Sequence, residues 1–422
     1  MRYQKILKYL FIFLDIISFY LSIFILVLVR YDFNFRELKI HFIGFSFILP
    51  FWIISFYLNN LYEFNTRGYR NYIRILRAFI SGFLVSILFF YFIPYLKITP
   101  KINLILFTIY FFSLFLIFRK KFEERFIKEE KIKVLIIAPE ILKEKIFEDF
   151  KNLSLYEIKN YLSEIPSDKK IFENVDLIII SNHLKTHNAL DILIKEVDFK
   201  IPIIELIDFY EQNFNRIILE EIDEYWILKN IINPEYKIEV FIKRAFDLFF
   251  ALILMVFLII LFPFIALGIL INSPGPIIFS QKRVGKDNKI FTLYKFRTMR
   301  GEKDLGIWAR KDDERIFFFG KILRRLHLDE LPQVINILKN ELSFVGPRPE
   351  QINIVNDLEK KIEFFNIRHL VLPGITGWAQ VNYKYAGSIE ESKIKLEYDL
   401  FYLKNKNFIL DLLIIFKTIF SI

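Results

Sequence analysis

The chain contains no cysteine, which excludes disulfides, thiolate metal sites and cysteine nucleophiles. Its five histidines, His41, His183, His187, His327 and His369, show no zinc-ligand spacing, so a structural zinc is not expected. No separate basic tail exists either: lysine and arginine lie beside apolar runs. The net charge of +10 therefore points to anionic lipid headgroups and phosphate-bearing substrates, and no nucleic-acid partner is expected. The first apolar run is longer than a signal-peptide core and is followed by Arg30 without a small-residue cleavage pattern, so it reads as a membrane span.

Apolar residues make up 54% of the 422, more than a soluble domain carries, and the mean hydropathy is +0.35. This length leaves room for two or three domains. Four runs of spanning length, 9–29, 40–58, 78–96 and 102–118, predict a four-helix transmembrane domain over residues 1–120. Basic residues gather before the first run (Arg2, Lys5, Lys8), between the second and third (Arg67, Arg70, Arg74, Arg77) and after the fourth (Arg119, Lys120, Lys121, Arg125). By the positive-inside rule the N-terminus and everything after residue 119 are cytoplasmic.

Residues 131–232 change character. KIKVLIIA, VDLIIIS and IPIIELI read as strands, with helix-like segments such as HNALDILIKEV between them, the alternation of a parallel α/β domain. A dinucleotide site needs glycines just after the first strand, so that the backbone can approach a pyrophosphate. The turn here is APEILKEK, without glycine, which argues for a structural or homodimerising role. A chain beginning near Glu239 is expected to keep its chemistry without this domain.

Ala245 to Ile271 is a 27-residue run with one charge, Asp247. A straight helix of that length, roughly 40 Å, would cross a membrane. Basic residues flank both ends, Lys243 and Arg244 before, Lys282, Arg283, Lys286 and Lys289 after, so the flanks show no sidedness. Pro263 falls inside the run. The expectation is a broken, re-entrant helix that enters and leaves on the cytoplasmic face.

The chemistry centres on Asp329 and Glu330 in LHLDELPQVINILK. Acidic residues ahead of Pro332 have a structural reading, the capping of a helix start. The neighbourhood offers another: Arg324 and Arg325 precede the pair, and FVGPRPE presents Arg348 between two prolines. Carboxylates flanked by guanidiniums are what a divalent metal and a diphosphate need together. In YKFRTM, Lys295 and Arg297 alternate with aromatics, as on one face of a strand. In PGITGWAQVN, Trp378 and Gln380 are placed either to stack on and hydrogen-bond a base or sugar, or to be buried in a turn. FFFGKILRRL and NFILDLLIIFKTIFSI mix apolar and basic residues, as helices in a membrane interface do; ordinary core packing is the alternative for the second.

Taken in order, KRAFD (243–247), SPGP (273–276), QKRVG (281–285), YKFRTM, LDELPQ, FVGPRP and RHLVLPGITGWAQVN (368–382) resemble the bacterial polyprenyl-phosphate hexose-1-phosphate transferases in their large polytopic form. The resemblance implies a catalytic domain over 239–422 with a re-entrant helix at 245–271, behind a Rossmann-like cytoplasmic module at 131–232, in the bacterial inner membrane. It implies transfer of a sugar 1-phosphate from a UDP-sugar to undecaprenyl (polyprenyl) phosphate, releasing UMP and initiating exopolysaccharide, capsule, O-antigen or glycoprotein glycan synthesis. In that reading Asp329 is the nucleophile, forming an aspartyl phosphosugar, and Glu330 ligates Mg²⁺. Lys295, Arg297, Arg324, Arg348, Arg368, His369, Gln380 and Asp399 are the candidate substrate-binding residues. Two positions depart from the family pattern: Phe262 where a small polar residue usually precedes the proline, and Leu372 where a basic residue is frequent. The rival readings are direct transfer without a covalent intermediate, and a non-enzymatic scaffold or nucleotide sensor on the same fold.

Overall fold

The computed structural model describes residues 2–59, 61–62, 69–92, 100–126, 131–153, 155–166, 168–184, 201–232, 237–300, 315–383 and 388–421. They form two compact units, Met1–Phe214 and Asn215–Ile422.

The first unit opens with α1 (Arg2–Tyr31), α2 (Phe35–Ser46), α3 (Leu49–Leu58), α4 (Tyr69–Phe92) and α5 (Pro100–Phe126). The expected single run 40–58 is instead two helices, bent by 42°. Pro50 stands in the first turn of α3, where a missing N–H is harmless but the preceding helix cannot continue undisturbed. Aromatic rings fill the bundle: Trp52 packs against Phe79 and Phe111, and Phe19 against Phe107. Hydroxyls within the helices turn back on their own backbone, Ser18 to Leu14 and Ser22 to Ser18, so little polarity is left unsatisfied. One buried ion pair, Arg119 to Asp15 at 3.0 Å, ties α5 to α1.

The same unit continues with β1 (Ile132–Ile137), α6 (Lys143–Phe150), β2 (Tyr156–Leu162), β3 (Leu177–Ile180), β4 (Ile203–Glu205) and α7 (Leu206–Phe214). The strands form one parallel sheet in the order β2-β1-β3-β4, with Val134 opposite Leu177. Leu135, Ile137, Ile178 and Ile180 are buried, as continuous apolar strands covered on both faces must be. The helix expected over HNALDILIKEV lies outside the described residues.

The second unit begins with a segment that packs on its own C-terminal part. The Ile217 N–H donates to the Glu397 carbonyl at 3.0 Å, and Arg216 pairs with buried Glu397 at 3.2 Å. After α8 (Glu224–Asn230) comes α9 (Lys237–Asn272), a 36-residue helix. The expected break at Pro263 is not seen, because α9 runs on through the proline. A proline removes one helical hydrogen bond, and the surrounding apolar turns sustain the rest. One stripe, Ala251, Leu258, Ile265 and Ile269, joins the core of this unit. The opposite stripe, including Leu252, Val256, Ile259, Phe264 and Ile271, is exposed and apolar. Among the described residues, α9 with α1, α4 and α5 makes four helices long and apolar enough to cross a membrane, and the bent α2–α3 pair is a fifth candidate.

The hairpin β5 (Ile278–Val284) and β6 (Ile290–Phe296) follows, antiparallel, with Phe279 opposite Lys295. Then come α10 (Phe318–Arg325), a 3₁₀ helix over Leu328–Gln333, α11 (Val334–Leu338), β7 (Ser343–Val345), α12 (Ile352–Lys361), β8 (Gly374–Thr376), α13 (Trp378–Asn382), α14 (Ile389–Asn405) and α15 (Phe408–Ser421). Strands β7 and β8 pair in parallel, Ser343 with Gly374 and Val345 with Thr376.

Candidate active site

Helix α10 ends on Arg324 and Arg325, and His327 then takes a left-handed conformation, φ 54°. That turn starts the 3₁₀ helix carrying Asp329 and Glu330, while the α-helix proper begins at Val334. Neither carboxylate caps a helix, so the structural explanation for the acidic pair does not hold. The Asp329 carboxylate makes no hydrogen bond among the described residues.

Buried Asn336 sets the hairpin over this turn. Its amide donates to the Thr292 carbonyl and to Glu341, both at 2.7 Å, and its oxygen accepts from the Tyr294 N–H at 3.3 Å. Lys295, the next residue, thereby reaches Glu330: Nζ to Oε1 is 2.6 Å. Arg348 approaches the same oxygen at 3.6 Å. Both cations thus use Oε1, and Oε2 has no protein partner among the described residues. Burial works to raise the Glu330 pKa, but Lys295 and Arg348 outweigh it and hold it at about 2. Asp329 moves the other way, raised by burial and by the Glu330 charge against the opposing pull of Lys295, Arg324 and His327. Lys295 is lowered by burial and by Arg348, with Glu330 opposing. Arg324 is oriented by its Nε donating to Thr298 Oγ1 at 2.9 Å, and its terminal nitrogens have no protein partner among the described residues.

Arg348 is delivered by backbone packing. A Cβ on Gly374 would collide with the Gly346 backbone, and one on Gly346 with the Leu372 carbonyl, so only glycines let the two loops touch. The result is a cleft walled by Lys295, Glu330, Gln333 and Arg348, with Arg283, Leu293, Gly374 and Ile375 around it.

The other candidates stand elsewhere. Lys295 and Arg297 do not act on one side: β6 ends at Phe296, and the Arg297 guanidinium caps the SPGP turn through the Ser273 and Pro274 carbonyls. Arg368 and Asp399 form a buried pair at 2.8 Å behind the cleft, and Arg368 also donates to the Arg348 carbonyl at 3.0 Å. His369 Nδ1 lies 2.6 Å from Asn288 Oδ1; burial and Arg368 depress its pKa to about 4, so it is neutral at pH 7. Gln380 uses its amide nitrogen on the Ile375 carbonyl at 2.9 Å. Trp378 is buried, its Nε1 donating to the Asn215 carbonyl at 2.9 Å and its ring stacked on Phe401, so it offers no surface to a base. Sequence reasoning passed over Arg283, Gln333 and Glu350. Arg283 and Gln333 stand inside QKRVG and LDELPQ, but only the fold shows that they meet the cleft. Glu350, held at about 2 by Lys395 and Arg368 against burial, pairs with Lys395 at 3.1 Å.

No group of three or more metal-ligating side chains occurs among the described residues. The described residues therefore offer no protein-only metal cage. Two adjacent carboxylates with an open Glu330 oxygen would suit a hard divalent cation such as Mg²⁺, with Glu330 as the residue to hold it.

Residues 238–422 match the family model described as bacterial sugar transferase. The UDP-N-acetylgalactosamine-undecaprenyl-phosphate N-acetylgalactosaminephosphotransferase of Aeromonas hydrophila is 40% identical over 224 residues, 53% of this chain and 52% of that protein. The UDP-glucose:undecaprenyl-phosphate glucose-1-phosphate transferase of Klebsiella pneumoniae is 33% identical over 253 residues, 58% of this chain and 54% of its own length. The match to this chain thus spans about half the length of these curated relatives. An uncharacterized sugar transferase of Bacillus subtilis is 43% identical over 180 residues, which is 42% of this chain but 85% of that smaller protein. Together with the acidic turn and its cations, these matches place the chain in the bacterial sugar transferase family.

Proposed function

We propose that the protein transfers a sugar 1-phosphate from a UDP-sugar to undecaprenyl phosphate at the cytoplasmic face of a bacterial inner membrane. The observation that carries the reading is the Asp329–Glu330 turn, in which Glu330 is held by Lys295 and Arg348 while the Asp329 carboxylate has no hydrogen bond among the described residues.

Both substrates are anionic, so a direct encounter of two phosphates is repulsive, and a covalent step on the protein divides the barrier. A carboxylate oxygen of Asp329 bonds to the sugar-bearing phosphorus, and the bond from that phosphorus to UMP breaks. An oxygen of the polyprenyl phosphate then bonds to the same phosphorus and releases Asp329 as carboxylate. Lys295, Arg324 and Arg348 stabilise the phosphoryl charge in both steps. A bound Mg²⁺ would neutralise the diphosphate, and Glu330 Oε2 is the ligand atom available for it.

The packing of α9 supports keeping both of its ends on one membrane face. At one end Arg244 donates to the Ile337 carbonyl at 2.9 Å, and Asp247 accepts from the Phe344 N–H at 3.1 Å. At the other, Asn272 accepts from the Phe319 N–H at 3.4 Å. A helix with its ends on opposite membrane faces would divide one packed fold between two compartments. The exposed apolar stripe of α9 then lies in lipid, with the exposed Phe318 of α10 and Phe416 and Ile419 of α15 at the interface. Purified protein incubated with a panel of radiolabelled UDP-sugars and undecaprenyl phosphate should move label into the lipid phase; no transfer from any donor overturns the reading.

A further inference from the structure

Two side-chain amides stand on consecutive turns beneath the cleft, and they are used differently. Asn336 is fully committed to Thr292, Tyr294 and Glu341. Gln333 is 3% exposed and lines the cleft, yet its amide makes no hydrogen bond among the described residues and does not cap α11. Its amide atoms are not sealed from solvent, so they open onto the cleft and stay available to a ligand. In a 3₁₀ helix residues i and i+3 eclipse, so Glu330 and Gln333 project from one face, about 6 Å apart along the axis. Glu330 sits where the two cations gather, and Gln333 sits one step beyond.

We infer that Gln333 is a donor-recognition residue whose amide hydrogen-bonds a sugar hydroxyl next to the diphosphate. This rests on the transferase reading above. The phosphates already have Lys295, Arg348 and Arg324 as charged partners, and a neutral amide adds nothing to that task. It does supply one acceptor and two donors, the match for a hydroxyl, which both donates and accepts. Gln380, suggested by sequence for such a role, has its amide nitrogen tied to Ile375 and its oxygen sealed from solvent, so it presents neither to the cleft. The hydroxyl belongs to the hexose or to the ribose, and the two sources are separable by inhibition.

The experiment compares full-length wild type with the near-isosteric Gln333→Met and Gln333→Glu, measuring kcat and KM for the UDP-sugar, the inhibition constant of UMP, selectivity among UDP-hexose epimers, and Tm. Loss of a designed hydrogen bond to substrate should raise KM about tenfold or more with Tm unchanged. A parallel rise in the UMP inhibition constant assigns the hydroxyl to ribose. An unchanged UMP constant with altered epimer selectivity assigns it to the hexose. KM, UMP inhibition and selectivity all within about twofold of wild type in either folded variant would overturn the inference. If wild type transfers no label from any donor, it is the transferase reading that fails, and this proposal with it.

Discussion

The Arg368 guanidinium donates to the backbone carbonyl of Arg348 at 3.0 Å while paired at 2.8 Å with Asp399, so a buried ion pair braces the loop from which Arg348 reaches Glu330. Arg368 and Asp399, candidates from sequence for touching substrate, have in this fold a different way to matter. They hold in place from behind the cation that pairs with Glu330.

That brace is separable from stability. Asp399→Asn should lower stability by about 3–5 kcal/mol, because it leaves a buried guanidinium without its anion. Arg368→Met with Asp399→Leu should recover much of that loss by removing both charges. The Arg348 carbonyl still lacks its donor in the double variant, so transfer should stay depressed. Thermal unfolding alongside kcat/KM checks this; a stable double variant with full activity would refute the brace.

The order of events at Asp329 is testable directly. UMP should be released before any polyprenyl phosphate is added, at no more than one equivalent of enzyme, with sugar-phosphate label retained on the protein. Asp329→Asn should abolish the label and slow turnover on the order of a thousandfold or more. Glu330→Gln should be severe too, with residual activity that responds to added Mg²⁺. Initial rates against both substrates should give parallel double-reciprocal lines. Intersecting lines without protein-bound label would leave direct transfer.

The acid limb of the rate profile has a definite sign. As the proposed nucleophile Asp329 has to be a carboxylate, and its pKa is raised by burial and by Glu330, so kcat/KM should fall with decreasing pH at a higher pH than an ordinary aspartate, near 3.9, would give. Lys295→Met removes a charge that lowers this pKa and should move the limb upward. Glu330→Gln removes one that raises it and should move the limb downward. An acid limb indifferent to both changes would remove Asp329 from the titration.

Topology reporters fused after Lys131 and after Ile422 should both report cytoplasm. A periplasmic signal from the second alone would mean that α9 spans. Pro263→Leu restores one hydrogen bond in a helix that is already continuous, so both reporters should still report cytoplasm.

A chain shortened to begin at Glu239 keeps the acidic turn and its cations, and should retain detectable transfer. It loses Asn215 from Trp378 and Arg216 from buried Glu397, so its Tm should fall below that of a chain beginning at Asn215. Equal Tm values would show that this segment contributes no stability.

What the sequence determined by itself was local. Apolar runs mark helices because a buried backbone must bond internally, and the uninterrupted isoleucines of β1 and β3 mark a sheet covered on both faces. Asp329, Glu330, Lys295 and Arg348 stood out by type and neighbourhood, and the fold brings Lys295 and Arg348 onto Glu330. The tertiary structure decided which side chains meet. Strand alternation puts Lys295 and Arg297 on one side, but the strand ends between them and only Lys295 reaches Glu330. A tryptophan in PGITGW reads equally well as a ligand platform or as core, and burial against Phe401 with a bond to Asn215 makes it core. A glutamine three residues past Glu330 carries no signal in the sequence. The 3₁₀ geometry turns it into the cleft, because facing and burial depend on packing between segments far apart in the chain.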